Sequence, residues 1–158
     1  MITANQATRV AVIGARDASP EGLAFAYEVG RLLGESGVLV YTGGAGGVME
    51  AASNGVQAGG GVAIGILKES DLSMANDYLN IPIMTGMGDL RNGIIIRSVQ
   101  GSIAVEGSFG TLSEAAYTLS YEKPLVGFQS WDIPGMHPVE TAQEAVDTIL
   151  KLIREQDK

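Results

Sequence analysis

Six short apolar runs, separated by segments of helix length, constrain the fold of this chain more than any other feature. Most of these runs are continuous stretches of Val, Ile and Ala, which is typical of strands buried on both faces. Parallel strands need a crossover connection between them, usually a helix. The pattern therefore predicts an α/β fold, a single doubly wound parallel sheet with helices on both faces, in one domain over residues 1–158. The predicted strands are 9–13, 38–42, 62–66, 79–84, 102–106 and 125–128.

Five helices are predicted around these strands. Ser19 is a typical N-cap and Pro20 a typical first helical residue, so the first helix begins there and runs to about Glu35. Thr141 and Glu144 have the spacing of a capping box at the start of the last helix. The stretch 129–138 is predicted to be an ordered surface loop. The later helices are predicted at 47–58, 89–99, 111–120 and 141–154.

Composition argues against several classes of function. The chain of 158 residues has no cysteine and one histidine, His137, so we expect no disulfides, no thiolate catalysis and no metal site. No apolar run reaches the ~18 residues of a membrane span, and no signal peptide is evident, so a cytoplasmic protein is expected. The formal net charge of −8 argues against a nucleic-acid partner, because phosphate backbones require clustered Lys and Arg.

Three glycine-bearing turns directly follow predicted strands, at 14–16, 43–47 and 106–111. The carboxyl ends of parallel strands lie along one edge of the sheet, where doubly wound domains bind their ligands. The free backbone N–H groups of a turn that opens a helix suit a phosphate. We therefore expect a small phosphorylated ligand at this edge. The candidate ligand-binding residues are Gly14, Arg16, Gly43, Gly44, Gly46, Gly47, Gly107, Ser108, Gly110 and Thr111.

These turns do not match the common nucleotide-binding motifs. The residues after the first strand, 14–19, lack the G-x-G-x-x-G spacing, and the chain has no G-x-x-x-x-G-K-[ST] motif. No lysine stands in a glycine turn. The sequence therefore indicates a small anion site built from backbone N–H groups and one or two arginines.

Several polar residues near these turns have two interpretations. Thr111 and Glu114 have the spacing of a capping box, which only satisfies helix N–H groups, or they hold a phosphate and face the attached sugar. Arg91 is either a surface arginine or the counter-charge of the anion. Arg97 either pairs with a carboxylate such as Glu114 or is solvated. Glu50 favours the dipole of the second helix or makes a polar contact in the cleft.

Four segments taken together resemble one protein family. They are V-A-V-I-G at 10–14, T-G-G-A-G-G-V-M-E-A-A at 42–52, G-M-G-D-L-R-N at 86–92 and G-S-F-G-T-L-S-E at 107–114. In this order they resemble the Rossmann-like group that contains the lonely-guy-type cytokinin-activating phosphoribohydrolases, long mislabelled as lysine decarboxylases. The chain is more similar still to the molybdenum-cofactor-carrier-like branch of that group, which is also described as related to DNA-processing protein A. The likeness covers about residues 9–154.

The resemblance implies roles for individual residues. The hydrolase motif P-G-G-x-G-T-x-x-E is matched by Gly107, Gly110, Thr111 and Glu114, which implies a phosphate cradle in the first three. Arg91 matches the arginine of the hydrolases' Arg-Lys pair. If the protein is an enzyme, the resemblance implies that Arg91 and Glu114 are its catalytic pair.

The chain also departs from the hydrolase pattern. Glu106 replaces the motif's proline, Ser108 its second glycine, and Asn92 stands where the pair's lysine would be, as we expect of the carrier-like branch. Asn92 and Glu50 are therefore supporting residues at most. The missing lysine and the added Glu106 both make the site region less positive. At an effective dielectric near 20, the interaction of two unit charges at contact distance is worth about 4 kcal/mol. A nucleotide phosphate is expected to bind less well here than in a hydrolase, unless Arg16 compensates.

Three functions remain open. The leading hypothesis is a binding protein for a small phosphorylated ligand, nucleotide-like or pterin-like, and the resemblance implies a molybdenum cofactor carrier. The alternatives are a nucleoside 5′-monophosphate phosphoribohydrolase and an oligomeric scaffold with a vestigial site, since the resemblance implies a homodimer or higher homo-oligomer. Lysine decarboxylase activity is not expected. No ring partner is identified, because Phe109, Tyr117 and Tyr121 are interpreted as core or interface residues.

Overall fold

A computed structural model describes Thr3 and residues 6–158. Its strands form one parallel sheet in the order β4-β3-β2-β1-β5-β6-β7. The chain runs outward from β1 to β4 and then returns to the other side of β1 with β5, so the topological switch point lies between β1 and β5. The predicted doubly wound fold is confirmed. The strands are β1 (Arg9–Gly14), β2 (Leu39–Thr42), β3 (Val62–Leu67), β4 (Ile81–Met84), β5 (Gly101–Val105), β6 (Leu125–Phe128) and β7 (His137–Pro138).

Helices cover both faces of the sheet. Three of them, α1, α2 and α5, bury Val29, Val56 and Ile149 against one face, and the other two bury Ile95 and Ala115 against the opposite face. The central strand β1 is buried between the two layers, which explains its continuous apolar sequence. The helices are α1 (Pro20–Glu35), α2 (Val48–Ala58), α3 (Arg91–Ser98), α4 (Phe109–Ser120) and α5 (Ala142–Gln156), with a short 3₁₀ helix at Gly88–Leu90.

Most predicted boundaries agree with the structure to within two residues, and two differences bear on the site and the sheet. Helix α4 begins at Phe109 and not at Thr111, because Ser108 is already its N-cap and its carbonyl accepts the Leu112 N–H at 3.0 Å. The predicted loop 129–138 ends in a two-residue strand, β7, that pairs with β6 and places His137 in the sheet. Its second residue is a proline, which an edge strand tolerates because one of its sides pairs with no neighbour.

Helices α1 and α2 approach each other backbone to backbone. A Cβ atom added at Gly55 would overlap the carbonyl oxygen of Tyr27, and one added at Gly30 would overlap that of Ala52. Such a contact leaves no room for even one methyl group. The packing of α1 on α2 therefore depends on glycine at these positions.

We expect Gly55→Ala to lower the free energy of unfolding by about 1–3 kcal/mol, because the added methyl group forces the two helices apart. The matched control is Gly93→Ala in α3, where an added Cβ meets no atom within 4 Å. Alanine is there expected to stabilise the helix by about 0.5–1 kcal/mol. Chemical denaturation measures both effects, and a destabilisation of equal size in the two variants would contradict the packing argument.

The described part of the chain contains no helix that is long and apolar enough to cross a bilayer.

Candidate functional site

A cavity of ≈ 220 Å³ opens at the carboxyl edge of the sheet, at the switch point between β1 and β5. Its walls come from the turns after β1, β2, β3 and β5 and from the start of α3. The three predicted glycine turns thus reach one cavity. Most of the predicted site residues line it, and they are Gly14, Arg16, Gly43, Arg91, Asn92, Ser108, Gly110, Thr111 and Glu114.

The remaining predicted residues lie outside the lining of this cavity. Gly46 and Glu50 line a neighbouring cavity of ≈ 320 Å³ that shares Arg16 with the first. Gly44 donates its N–H to the Thr42 hydroxyl at 3.0 Å, which shapes the turn after β2.

Two further glycines hold the turns in shape. Gly47 has a positive φ of 67°, and a Cβ atom there would overlap the carbonyl oxygens of Ala15 and Arg16. Gly107, with φ 116°, packs directly over the Thr111 side chain. Both positions require glycine, because an L side chain rarely adopts such φ values and would also clash. Gly47 thus packs the turn after β2 on the turn after β1, and Gly107 packs on the first turn of α4.

Sequence reasoning missed five lining residues: Ala15, Ala45, Met49, Lys68 and Glu69. Lys68 matters most, because it brings a cation to a site in which only arginines were expected. Its Nζ lies 2.6 Å from Asp89 Oδ1, and both side chains are exposed. The position of Lys68 in the site could have been predicted from the sequence, because Lys68 and Glu69 directly follow β3 and therefore lie at the same edge of the sheet.

Arg91 is buried at this cavity with only 4% of its surface exposed, so its interpretation as a surface arginine is wrong. Its Nη1 donates to the Asn92 side-chain oxygen and lies 4.0 Å from Glu114 Oε1. Its Nη2 donates to the Gly43 carbonyl oxygen at 3.3 Å. Its buried Nε–H finds no acceptor among the described residues. A buried donor without a partner is costly, so the structure carries one unmet hydrogen bond in a residue that lines this cavity.

Asn92 connects the starts of α3 and α4. Its Nδ2 donates to the Ser113 hydroxyl at 3.1 Å, and that hydroxyl donates to the Gly110 carbonyl oxygen at 2.7 Å. The other end of the same amide accepts from Arg91. Asn92 therefore holds the guanidinium in place relative to the turn that opens α4.

Burial sets the protonation of the Arg91–Glu114 pair. Removal of the Glu114 carboxyl from water raises its pKa to about 7, and the nearby positive charges of Arg91 and Lys68 only partly oppose this. Burial also lowers the pKa of Arg91, although a guanidinium remains protonated at neutral pH. Near pH 7 the cavity thus holds one fixed buried cation beside a carboxyl group that is about half protonated.

The N-terminus of α4 borders the cavity without a side-chain cap. Ser108 occupies the N-cap position, but its hydroxyl accepts no hydrogen bond from the helix. The first N–H groups of a helix have no intrahelical acceptor, and the helix dipole makes this end positive. Thr111 and Glu114 both lie inside α4, so the capping-box interpretation of these two residues is wrong.

The extra carboxylate at Glu106 points away from the cavity. It accepts hydrogen bonds from the Ser19 N–H at 3.0 Å and from the Ser19 hydroxyl, at the N-terminus of α1. Arg97 also lies apart from the site, with its guanidinium 4.6 Å from the centre of the Tyr121 ring. Of its two interpretations, pairing with Glu114 is therefore wrong, and the residue is exposed. Lys68 adds a cation to the lining and Glu69 adds a carboxylate, so the change from the expected charge comes from Glu106, which lies outside the lining.

Comparisons with known proteins place these observations in a family context. The model of the SLOG cluster4 family matches residues 7–156. An uncharacterized protein of Archaeoglobus fulgidus is 40% identical over 141 residues, which is 88% of this chain and 92% of the relative. The suspected resemblance is confirmed at the level of the family and its carrier-like branch.

Two solved structures are similar over nearly their whole length. The molybdenum cofactor binding protein of the phototrophic bacterium Rippkaea orientalis is 31% identical with a TM-score of 0.88, over 93% of this chain and 98% of that one. The molybdenum cofactor carrier protein MCP of Chlamydomonas reinhardtii is 28% identical with a TM-score of 0.83, over 94% and 99% of the two chains. They share the Rossmann-like parallel sheet with this chain.

Proposed function

The chain belongs to the SLOG cluster4 family, and from this membership and the geometry of the cavity we propose that it is a binding protein for a small phosphorylated ligand. The observation that carries the proposal is the unpartnered Nε–H of the buried Arg91 beside the uncapped N-terminus of α4. The Arg91 Nε–H and the first N–H groups of α4 are all hydrogen-bond donors without acceptors in the described part of the chain, and they belong to residues around one cavity. A phosphate supplies several acceptor oxygens and the negative charge that such a site favours.

The ligand class follows from the donor set and from the relatives. Arg16 and Lys68 add two cations at the mouth of the cavity, so the described lining suits the phosphate end of a nucleotide or of a phosphorylated pterin. Solved structures similar to this chain are named as molybdenum cofactor binding and carrier proteins. A cofactor of this kind is the ligand we propose first, with Arg91, Thr111 and the N–H groups that open α4 on its phosphate.

An equilibrium binding experiment tests this proposal. Isothermal titration calorimetry compares AMP, GMP and a pterin phosphate with adenosine, guanosine and the pterin alone. We expect binding only of the phosphorylated member of each pair, and competition by inorganic phosphate. No binding of any phosphorylated ligand or of phosphate at millimolar concentration would contradict the proposal.

A second function, hydrolysis of the N-glycosidic bond of a nucleoside 5′-monophosphate, is favoured by the protonation of Glu114. A carboxyl group with a pKa of about 7 can donate or accept a proton at neutral pH, as general acid–base catalysis requires. The sugar passes through an oxocarbenium-like state that a carboxylate stabilises. Arg91, whose Nη1 lies 4.0 Å from this carboxylate, would orient the substrate.

Chromatography of the free base released from nucleoside 5′-monophosphates tests this second function. Turnover that disappears in Glu114→Gln while AMP still binds would support it. Binding without release of base from any nucleotide would contradict hydrolysis and would leave the binding function as the proposal.

Two further expectations stay predictions. Light scattering can test whether the protein forms a homo-oligomer, and a filter-binding assay can test whether it lacks affinity for nucleic acid.

A further inference from the structure

The size of the cavity raises the question of where the rest of a phosphorylated ligand lies. Sites that enclose a drug-sized ligand have volumes of about 300–1,000 Å³. The cavity described here has ≈ 220 Å³ and is lined mainly by polar groups and backbone. It suits a phosphate and the adjoining sugar or chain, so a planar ring attached to them extends to the rim.

An aromatic pair adjoins residues of the cavity lining, although neither ring belongs to that lining. Phe109 is the first residue of α4, between Ser108 and Gly110, which both line the cavity. The residue is 81% exposed, so Phe109 is not a core residue, and its other interpretation, as an interface residue, stays a prediction. The Trp131 ring stacks beside it, with the ring centres 6.0 Å apart and the planes inclined by 29°.

Trp131 is held in place by the same turn. Its indole N–H donates to the Ser108 carbonyl oxygen at 3.1 Å, so the indole orientation is tied to the turn that opens α4. The aromatic pair and the uncapped N–H groups of α4 therefore form one unit. A phosphate that meets these N–H groups lies next to the backbone of Phe109, the first residue of the helix.

The other exposed aromatic residue of α4 lies elsewhere. Tyr117 is 41% exposed and stacks on Tyr121, with ring centres 6.1 Å apart. Tyr117 lies in the C-terminal half of the helix and Tyr121 is its C-cap. Neither they nor Phe109 line the cavity, but only Phe109 has lining residues on both sides in the chain. Position along α4 thus distinguishes Phe109 from an aromatic residue of similar chemistry.

We infer that Phe109, oriented by Trp131, is the stacking platform for the planar heterocycle of the ligand, and that it gives the site its preference for phosphates that carry such a heterocycle. This inference rests on the proposed binding of a phosphorylated ligand. An aromatic face binds many planar heterocycles, because every base presents a π-face to it. The preference is therefore for a class, phosphorylated planar rings, and not for a particular base.

Calorimetry with three probes, inorganic phosphate, ribose 5-phosphate and AMP, tests the inference. We expect Phe109→Ala to weaken AMP binding about tenfold, the usual size of one lost stacking contact. The affinities for phosphate and ribose 5-phosphate, which carry no planar heterocycle, should not change. Phe109→Trp should restore AMP binding. Tyr117→Ala is the matched control and should change none of the three affinities.

The fluorescence of Trp131 gives a second readout, because it is the only tryptophan of the chain. AMP and GMP should perturb its emission in the wild type, ribose 5-phosphate should not, and the difference should disappear in Phe109→Ala. Equal weakening of all three probes in Phe109→Ala, or no loss of AMP affinity, would overturn the inference while the proposed function stands. Failure of wild-type protein to bind any of the probes would overturn both.

Discussion

Replacement of Arg91 by methionine is expected to lower the affinity for inorganic phosphate and for AMP by about 100-fold or more. Methionine keeps much of the side-chain volume but removes the charge and the buried Nε–H that has no acceptor in the described structure. A hydrogen bond to a charged group contributes about 1.5–3 kcal/mol, and the loss of the cation removes Coulomb attraction as well. Isothermal titration calorimetry measures the effect directly.

Arg97→Met is the matched control for this variant. Arg97 belongs to the same helix, but it is exposed and its guanidinium lies over the Tyr121 ring. We expect its replacement to leave phosphate affinity unchanged. Arg91→Lys keeps a positive charge but loses the bonds to Asn92 and Gly43, so an intermediate affinity is expected. Similar losses in the Arg91 and Arg97 variants would point to a general charge effect and would contradict a specific site.

Glu114→Gln is expected to raise the free energy of unfolding above pH 8 by up to about 3 kcal/mol. Burial raises the pKa of Glu114 from 4.5 to about 7, so between these values the folded state binds more protons than the unfolded state. Stability from this carboxyl group is therefore fully present below pH 4.5 and is lost as the pH rises through 7. Glutamine resembles the protonated form at every pH, so this loss disappears in the variant.

Urea denaturation of both proteins from pH 4.5 to 8.5 measures this effect as a difference between the two curves. The difference should be small at pH 4.5, grow with pH and level off above pH 8. Glu50→Gln, at an exposed carboxylate of α2, is the control and should change stability by no more than a few tenths of a kcal/mol. A constant difference between wild type and Glu114→Gln across the pH range would show that Glu114 is not the group responsible.

The two experiments together distinguish a binding site from a structural ion pair. A buried pair that serves only the fold makes both variants unstable, because each leaves its partner without compensation. A site arranged for an anion instead gains stability when the carboxylate is neutralised and loses affinity when the cation is removed. For a binding site we therefore expect a gain in stability in Glu114→Gln together with a loss of phosphate affinity in Arg91→Met.

Much of the fold follows from local sequence patterns. Strands buried on both faces must be continuously apolar, so their positions and their parallel arrangement were predictable, as were helix ends marked by Ser19, Pro20 and Thr141. The convergence of the glycine turns at one edge also followed, because all parallel strands end there. The two-residue strand β7 was missed, since its pairing with β6 involves too few residues to leave a pattern.

The chemistry of the site depended on contacts between residues far apart in the chain. Ser19 and Glu106 are 87 positions apart, and only their hydrogen bonds show that the added carboxylate serves α1 instead of the cavity. Local spacing suggested a capping box for Thr111 and Glu114, but the start of α4 at Phe109 places both inside the helix. The sequence by itself thus determined the parallel sheet and the edge at which we propose that a ligand binds. Only the tertiary structure decided which side chains are removed from water there, and that removal sets the charge of Glu114 and leaves the Arg91 donor without a partner.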